Sequence, residues 1–167
     1  MVRYADDMVI LCRSQQEAQQ ALAGLKHWCA EAGLEVHPQK TKVVNMGQPS
    51  AHFEFLGYRF RRSSRNGKLQ RLIRPKSLKG IRERIKPLTR RANGQSLWQI
   101  LATLNPILRG VYGYFQHANK GQLKQLDGWV RGRLRGILRK RHGGRGRGRG
   151  RDHHKWPNHY FEAHGLF

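Results

Sequence analysis

The positive charge of this chain is confined to its second part. Residues 1–50 hold five basic and five acidic side chains, whereas 28 basic residues face only five acidic ones in residues 51–167. A net charge of +23 on 167 residues repels itself unless a polyanion neutralises it, and the common polyanions are nucleic acid and anionic membrane. The imbalance therefore predicts two functional zones and disfavours a neutral metabolite as the partner.

No segment has the length or composition of a membrane helix or a secretion signal. The longest apolar run covers residues 8–12, far short of the roughly 20 residues that span a bilayer. Arg3 follows Met1 closely, and no apolar stretch with a small-residue cleavage site comes after it. Cys12 and Cys29 form no CxxC motif and are expected to be buried, reduced thiols. We therefore expect a cytoplasmic protein with no membrane partner.

The first zone has the pattern of a small α+β unit. Val2–Tyr4 and the apolar run at residues 8–12 predict a hairpin with two aspartates at its turn. Ser14 and Glu17 form a capping box at the start of a helix that Gly33 should end. Further strands are expected at residues 42–46, 53–60 and 69–74, the last two joined through a turn at Asn66-Gly67.

The second zone is predicted to be helical, with a basic outer face on each helix. Ser77 can cap a first helix, which Pro87 should kink or end. Ser96 can open a second, and Pro106 should interrupt it. A third is expected from about Leu123 to Lys140, with arginines on its polar faces.

A low-complexity Arg-Gly tract at residues 143–151 follows the third helix. It has no apolar side chain to bury, so we expect it to be disordered when alone. Residues 152–167 regain aromatic side chains, and this tail is expected to pack back on the protein. His154, His159 and His164 are spaced by five without a cysteine pair, which disfavours a zinc site. Tyr112, Tyr114 and Phe115 could stack on bases, although their apolar neighbours favour core packing.

Asp6 and Asp7 are the residues that could carry chemistry. Phosphoryl transfer by two metal ions needs carboxylates that hold Mg²⁺, and aspartates on a rigid turn can supply them. Adjacent strand residues point to opposite faces, so one aspartate should be the principal ligand. By itself the dipeptide is also typical of a solvated turn.

Several motifs then resemble those of one family, in the family's order. Tyr4-Ala5-Asp6-Asp7 between two apolar strands resembles the catalytic hairpin of reverse transcriptases. Gly33-Leu34 with Lys40-Thr41-Lys42 resembles the next polymerase block, and Phe55-Leu56-Gly57-Tyr58 resembles the primer-grip hairpin. The segments at residues 104–110 and 126–131, with Tyr114-Phe115, resemble the maturase-specific domain of group II intron-encoded proteins. Val111 departs from the pattern, because the family usually has Trp there.

The resemblance implies an α+β fold in which part of a reverse-transcriptase palm precedes a helical thumb and maturase region. The implied domains are palm at 1–75, thumb at 76–95, maturase-specific domain at 96–142, Arg-Gly linker at 143–151 and tail at 152–167. Asp6 and Asp7 are implied as catalytic metal ligands for Mg²⁺. The residues implied to contact nucleotide or primer are Tyr4, Lys40, Phe55, Leu56, Gly57 and Tyr58.

The basic second zone is expected to bind group II intron RNA, through phosphate neutralisation and guanidinium stacking. The expected RNA-binding residues are Arg109, Arg131, Arg133, Arg135, Arg139, Lys140, Arg145, Arg147 and Arg149. The alternative is that these charges only solvate amphipathic helices, and charge alone does not distinguish RNA from a DNA target.

The family's other metal-binding aspartate comes from a strand upstream of the hairpin, and this sequence starts three residues before Tyr4. We therefore expect a C-terminal piece of a reverse transcriptase and maturase that binds intron RNA and assists splicing. It should not polymerise unless the missing N-terminal part is supplied. The alternatives are a non-enzymatic, generic RNA-binding module and a decayed reading frame.

Overall fold

Two structural units divide the chain in a computed structural model, which describes residues 1–167. The first is Met1–Arg71 and the second is Leu72–Phe167. Five strands in two small sheets and six helices make up the elements, which confirms the α+β class. No helix is long and apolar enough to cross a bilayer.

The first unit begins with the predicted hairpin. Strands β1 (Val2–Tyr4) and β2 (Asp7–Val9) pair antiparallel, with Tyr4 opposite Asp7. Ala5, the first turn residue, has a positive φ of 52°, as mirror-image hairpin turns require. The second strand ends at Val9 and not at residue 12, because β1 offers it only three partners.

Helix α1 (Gln15–Glu31) has the ends that its sequence predicts. Ser14 Oγ accepts a 3.1 Å hydrogen bond from the Glu17 amide. The Glu17 carboxylate in turn accepts from the Arg13 amide at 2.7 Å, one residue before the position a capping box would use. At the other end, Gly33 has φ of 67° and the Leu34 amide donates to the Cys29 carbonyl at 2.8 Å, which is a Schellman motif.

A three-stranded sheet follows, in the order β3 (His52–Phe55), β4 (Tyr58–Arg62) and β5 (Leu69–Ile73). The single strand expected at 53–60 is wrong. Leu56 and Gly57 have φ of 47° and 77°, so the chain reverses there and Phe55 pairs with Tyr58. The structure thus has a hairpin at residues 55–58, as the family resemblance implied.

The strand expected at residues 42–46 is also wrong, since these residues form no regular element. Apolar side chains favour a strand there, but a strand also needs a neighbour to pair its backbone groups. No segment of the first unit pairs with this one, and Val43 stays exposed.

The first unit contains almost no buried apolar core. Cys29, with 9% of its surface exposed, is its only buried apolar residue. Many of its large apolar side chains are exposed, among them Val2, Tyr4, Ile10, Leu11, Trp28, Leu34, Val43 and Leu69. Local hydrogen bonds and strand pairing therefore hold this unit together more than burial does.

The second unit is helical and carries the core. Its helices are α2 (Pro75–Leu88), α3 (Leu97–Tyr114), α4 (Lys120–Arg141), α5 (Gly150–Lys155) and α6 (Asn158–Ala163). Fully buried side chains come from four of the helices and the strand before them: Ile73, Ile85, Ile100, Leu104, Leu126, Leu134, Ile137 and Phe161. The expected helical nature of this zone is confirmed.

Proline positions correct two of the predicted helix boundaries. Helix α2 begins at Pro75, where a missing N–H costs nothing, so Ser77 lies in its first turn and accepts from Arg74 Nε at 3.1 Å. It ends at Leu88, directly after Pro87, as predicted. Pro106 does not interrupt α3, because buried Leu104 and Leu108 on either side of it keep the helix packed.

The Arg-Gly tract leads directly into a helix. Gly150 and Arg151 form the start of α5. The tail packs back as expected, since Trp156, Phe161 and Leu166 are buried. The side chain of Asn105 holds the last residues, with Nδ2 donating to the Gly165 carbonyl at 2.7 Å and Oδ1 accepting from the Phe167 amide at 3.0 Å.

Candidate nucleic-acid interface

Asp6 and Asp7 lie at the tip of the first hairpin. Asp6 is the second turn residue and Asp7 begins β2. Arg3 Nε donates to the Ala5 carbonyl at 2.8 Å and braces the turn. Both carboxylates are exposed, and neither forms an ion pair within the structure. The hairpin thus presents two adjacent carboxylates to solvent.

These two carboxylates do not make a closed metal site. The structure contains no group of three or more His, Cys, Asp or Glu side chains that could hold a metal ion. A pair of Mg²⁺ ions needs more oxygen ligands than two neighbouring aspartates on a turn provide. The residues present therefore fit one edge of a two-metal site and not the whole of it.

The expected nucleotide and primer residues are distributed over the same unit. Tyr4 is 66% exposed, opposite Asp7 in the hairpin. Lys40 is exposed in a turn and its amide donates to the His37 carbonyl. Phe55, Leu56, Gly57 and Tyr58 form the tight turn between β3 and β4. Strand β2 contacts β3, so the aspartate hairpin lies beside the strand that ends at Phe55.

Two of the arginines expected on the outer face of α4 are buried. Arg131 is 7% exposed and Arg135 is 3% exposed. Arg131 pairs with Asp127 at 2.9 Å and with Glu162 at 3.3 Å, and its Nη1 donates to the Asn158 carbonyl. The outward orientation expected for Arg131 is wrong, because the folded-back tail supplies it with internal partners.

Arg135 is held in the same way. Its Nε donates to the Trp156 carbonyl at 2.8 Å, its Nη2 donates to Asn158 Oδ1 at 2.7 Å, and the guanidinium lies 5.3 Å from the centre of the Phe161 ring. Desolvation, with a smaller contribution from the Arg131 charge, lowers the pKa of Arg135. Its expected outward orientation is wrong for the same reason.

Arg139 continues this row one turn further along α4. Its Nε donates to the Arg145 carbonyl at 2.9 Å, and its Nη1 donates to Asp152 Oδ2 at 2.9 Å. We call Arg131, Arg135 and Arg139 the arginine row. Spaced by four residues, they lie on one face of the helix, and all three bind the segment that follows α4.

Arg133 faces the other way and contacts the end of α2. Its Nε donates to Thr89 Oγ1, and its Nη2 donates to the carbonyls of Lys86 and Thr89 at 3.0 Å each. A guanidinium at a helix C-terminus satisfies carbonyls that lack helical partners. Burial, and secondarily the charge of Arg91, lowers the pKa of Arg133.

The remaining expected RNA-binding residues are exposed: Arg109, Lys140, Arg145, Arg147 and Arg149. Arg109 lies 5.8 Å from the centre of the Phe167 ring. Among the three aromatic residues considered, Phe115 is buried, Tyr112 half-buried and Tyr114 exposed, so core packing is confirmed only for the first. Desolvation, with the Asp127 charge second, raises the pKa of Tyr112 to about 12, and its hydroxyl donates to the Leu123 carbonyl.

Sequence reasoning missed two further arginines of this surface. Arg82 of α2 lies 5.7 Å from the centre of the Trp129 ring, and Arg91 lies against Gly136 of α4. No signal in the sequence singles them out, because their positions depend on how the chain around α2 packs beside α4.

Comparison with protein families gives two matches. Residues 78–157 match the group II intron, maturase-specific domain, and residues 1–60 match the reverse transcriptase family of RNA-dependent DNA polymerases. A search of curated proteins gave no significant match. The first match falls within the helical unit, and the second covers the aspartate hairpin and the turn at Leu56-Gly57.

Proposed function

This chain belongs to the group II intron reverse transcriptases and maturases, and we propose on that premise that it binds group II intron RNA and assists its splicing. The observation that carries the proposal is the match of residues 78–157 to the maturase-specific domain. That range lies in the part of the sequence where basic residues outnumber acidic ones by 28 to five. RNA binding neutralises this excess and releases counterions, which favours association.

The cations available for RNA are those that the fold leaves exposed. Lys140 and Arg141 end α4, and Arg145, Arg147 and Arg149 follow in the Arg-Gly tract. Arg131 and Arg135 contribute to the interface indirectly, because they hold the tail that carries the tract. We propose that the exposed set contacts phosphates, whereas the arginine row keeps its supporting segment in place.

RNA-directed DNA synthesis is a second candidate, favoured by the exposed aspartate hairpin within the reverse transcriptase match. We propose Asp6 and Asp7 as Mg²⁺ ligands that need at least one further carboxylate from outside this chain. Tyr4 and Lys40 would then contact the nucleotide, and the turn from Phe55 to Tyr58 would contact the primer. A DNA target is part of this second proposal and not of the first.

Binding across a salt series tests the first proposal. The purified chain is titrated with a folded group II intron RNA and with an unrelated structured RNA of equal length. We expect a preference for the intron of about tenfold or more that persists at high salt, when phosphate contacts are weakened. Equal affinity for both RNAs at every salt concentration would reduce the protein to a generic polyanion binder.

A double substitution separates the two candidates. Asp6→Ala with Asp7→Ala should leave intron binding and splicing assistance almost unchanged, because the hairpin lies outside the maturase-specific match. The same change should abolish any DNA synthesis measured when the rest of a reverse transcriptase is supplied in trans. Loss of RNA binding in the double variant would contradict the proposed division of labour.

A further inference from the structure

Three arginine side chains lie on one side of α4 without a carboxylate among them. Arg82 and Arg133 lie over the Trp129 ring, at 5.7 and 5.3 Å from its centre. Arg91 packs its side chain against Gly136, about two turns beyond Trp129 on the same helix. Burial, and secondarily the charge of Arg91, lowers the pKa of Arg133. We call these four residues the Trp129 cluster: Arg82, Arg91, Trp129 and Arg133.

No acidic side chain compensates these charges. None of the three arginines forms an ion pair in the structure. Glu83, beside Arg82 in sequence, pairs with Lys79 at 3.8 Å, and Asp127 of α4 pairs with Arg131. Like charges this close are unfavourable unless an anion joins them.

Arg82 also has an unsatisfied donor. Its Nε is buried and has no hydrogen-bond partner, the only buried side-chain nitrogen or oxygen atom in the structure without one. Buried donors without an acceptor are rare because the lost hydration is not replaced. The Arg82 guanidinium is therefore incompletely satisfied by the protein itself.

The rest of the cluster is held in position before any ligand arrives. Arg133 is fixed by its hydrogen bonds to Lys86 and Thr89 at the end of α2. The Trp129 ring contacts this anchored guanidinium and also Arg82, which it restrains by a cation–π contact. Preorganised guanidinium forks match the oxygen geometry of a phosphate group.

We propose that the Trp129 cluster is a phosphate-binding site for one phosphodiester group of the RNA backbone. Arg82 and Arg91 supply the donors, and Arg133 with Trp129 fixes their surroundings. This inference rests on the proposed RNA-binding function and adds to it a specific contact, made by α2, the turn after it and α4 together. An acidic peptide is the competing ligand, and the +23 charge of the chain alone does not separate the two.

Fluorine NMR of the full chain labelled with 5-fluorotryptophan tests the site directly. Four tryptophans give four signals, and Trp129→Phe identifies the one of interest. We expect a saturable shift of the Trp129 signal on titration with a short single-stranded RNA. A Trp129 signal unmoved by RNA that is shown to bind would overturn the proposal.

Two variants of α2 provide the matched comparison. Arg82→Gln should abolish the Trp129 shift and lower the slope of log K against log salt by roughly 0.7 to 1. Arg84→Gln removes the same charge from the exposed face of the same helix and should leave the Trp129 shift intact. A shift that persists in Arg82→Gln would overturn the site. If that variant does not fold, Arg91→Gln, which changes an exposed residue, takes its place.

Further titrations separate the ligands and the two proposals. A shift produced by inorganic phosphate but not by RNA, or equally by an eight-residue glutamate peptide, would overturn the assignment to RNA backbone. If Arg82→Gln binds intron RNA exactly as the unchanged protein does, this site fails while the proposed function stands. If RNA shifts Trp129 but the protein shows no preference for the intron, the site stands and the maturase function fails.

Discussion

Arg139 Nη1 donates a 2.9 Å hydrogen bond to Asp152 Oδ2, which joins the last turn of α4 to the first turn of α5. The same carboxylate oxygen accepts from the Arg149 amide, so it also caps α5. Arg139 Nε meanwhile binds the Arg145 carbonyl. One buried carboxylate and one guanidinium therefore shape the Arg-Gly tract, which has no apolar side chain of its own.

The Asp152 carboxylate should make the stability of the second unit depend on acid pH. Its hydrogen bond from the Arg149 amide, and then its contacts with Arg139, hold the pKa of Asp152 below its usual value. The resulting stabilisation is complete above the unfolded-state pKa of about 4 and is lost as the pH falls through the lower folded-state pKa. In urea titrations, Asp152→Asn should be less stable than the unchanged protein at pH 7, and the difference should shrink below pH 4.

Glu83→Gln is the control for this experiment, because Glu83 forms only an exposed pair with Lys79. It should leave the urea midpoint almost unchanged at every pH. A difference between Asp152→Asn and the unchanged protein that stays constant from pH 6 to pH 2.5 would contradict the role assigned to ionised Asp152.

Arg135→Met should destabilise the fold strongly. The change leaves the Trp156 carbonyl and Asn158 Oδ1 without their donor and removes the contact with Phe161. Removing one member of a buried polar network costs about 3 kcal/mol. The free energy of unfolding from urea titrations measures the loss.

The comparison for Arg135 is Arg147→Gln, which changes an exposed arginine of the tract. This variant should unfold at the same urea concentration as the unchanged protein and should bind RNA with a smaller salt slope, by roughly 0.7 to 0.9. Equal stabilities for the two variants would mean that the buried hydrogen bonds of Arg135 do not stabilise the fold.

Asn105→Ala should loosen the C-terminal residues. Asn105 exchanges two hydrogen bonds with the Gly165 carbonyl and the Phe167 amide, and an intramolecular hydrogen bond contributes about 0.5 to 1.5 kcal/mol. We expect a loss of about 1 kcal/mol, because alanine is also the better helix former inside α3. Limited carboxypeptidase digestion should remove Phe167 and Leu166 faster than from Gln116→Ala, an exposed control. Equal digestion rates would contradict the proposed role of the Asn105 hydrogen bonds in holding the C-terminal residues.

The two units should differ widely in hydrogen exchange. The amides of α3 and α4 lie around fully buried Ile100, Leu104, Leu126 and Leu134, whereas only Cys29 is buried in the first unit. Local opening costs little where few apolar contacts are lost. Exchange measured by mass spectrometry should be at least about 100-fold slower for buried amides of α4 than for those of α1. Comparable protection of the α1 amides from exchange would mean that interactions other than apolar burial stabilise this helix.

Local signals in the sequence predicted much of this structure. Ser14, Gly33 and Ser96 mark helix ends because their caps involve neighbours within four residues. The hairpin around Asp6 follows equally from adjacent residues. The turn at Leu56 was not predicted from the hydrophobic pattern, because the alternation of apolar and polar residues carries no information about a positive φ. The four-residue resemblance to the primer grip was the better guide there.

The roles of the α4 arginines could not be predicted in this way. Arg135 finds its partners 21 and 23 residues further along the chain, and Arg133 finds its own 44 residues earlier. A count of charges treats every arginine alike. In the fold, some arginines bind groups within the protein and others are exposed to solvent. The sequence therefore predicted a basic region, but the outward orientation expected for Arg131 and Arg135 within it was wrong.

The arginine row has an evolutionary consequence. Each of its guanidinium groups uses two or more nitrogens at once on partners in fixed directions, which the single ammonium of lysine cannot reproduce. Selection should therefore preserve arginine at 131, 135 and 139, while the exposed cations at 140, 145 and 147 are free to drift between lysine and arginine. Along α4 and the tract that follows it, the side-chain geometry of arginine would thus be conserved at some positions, and only a positive charge at others.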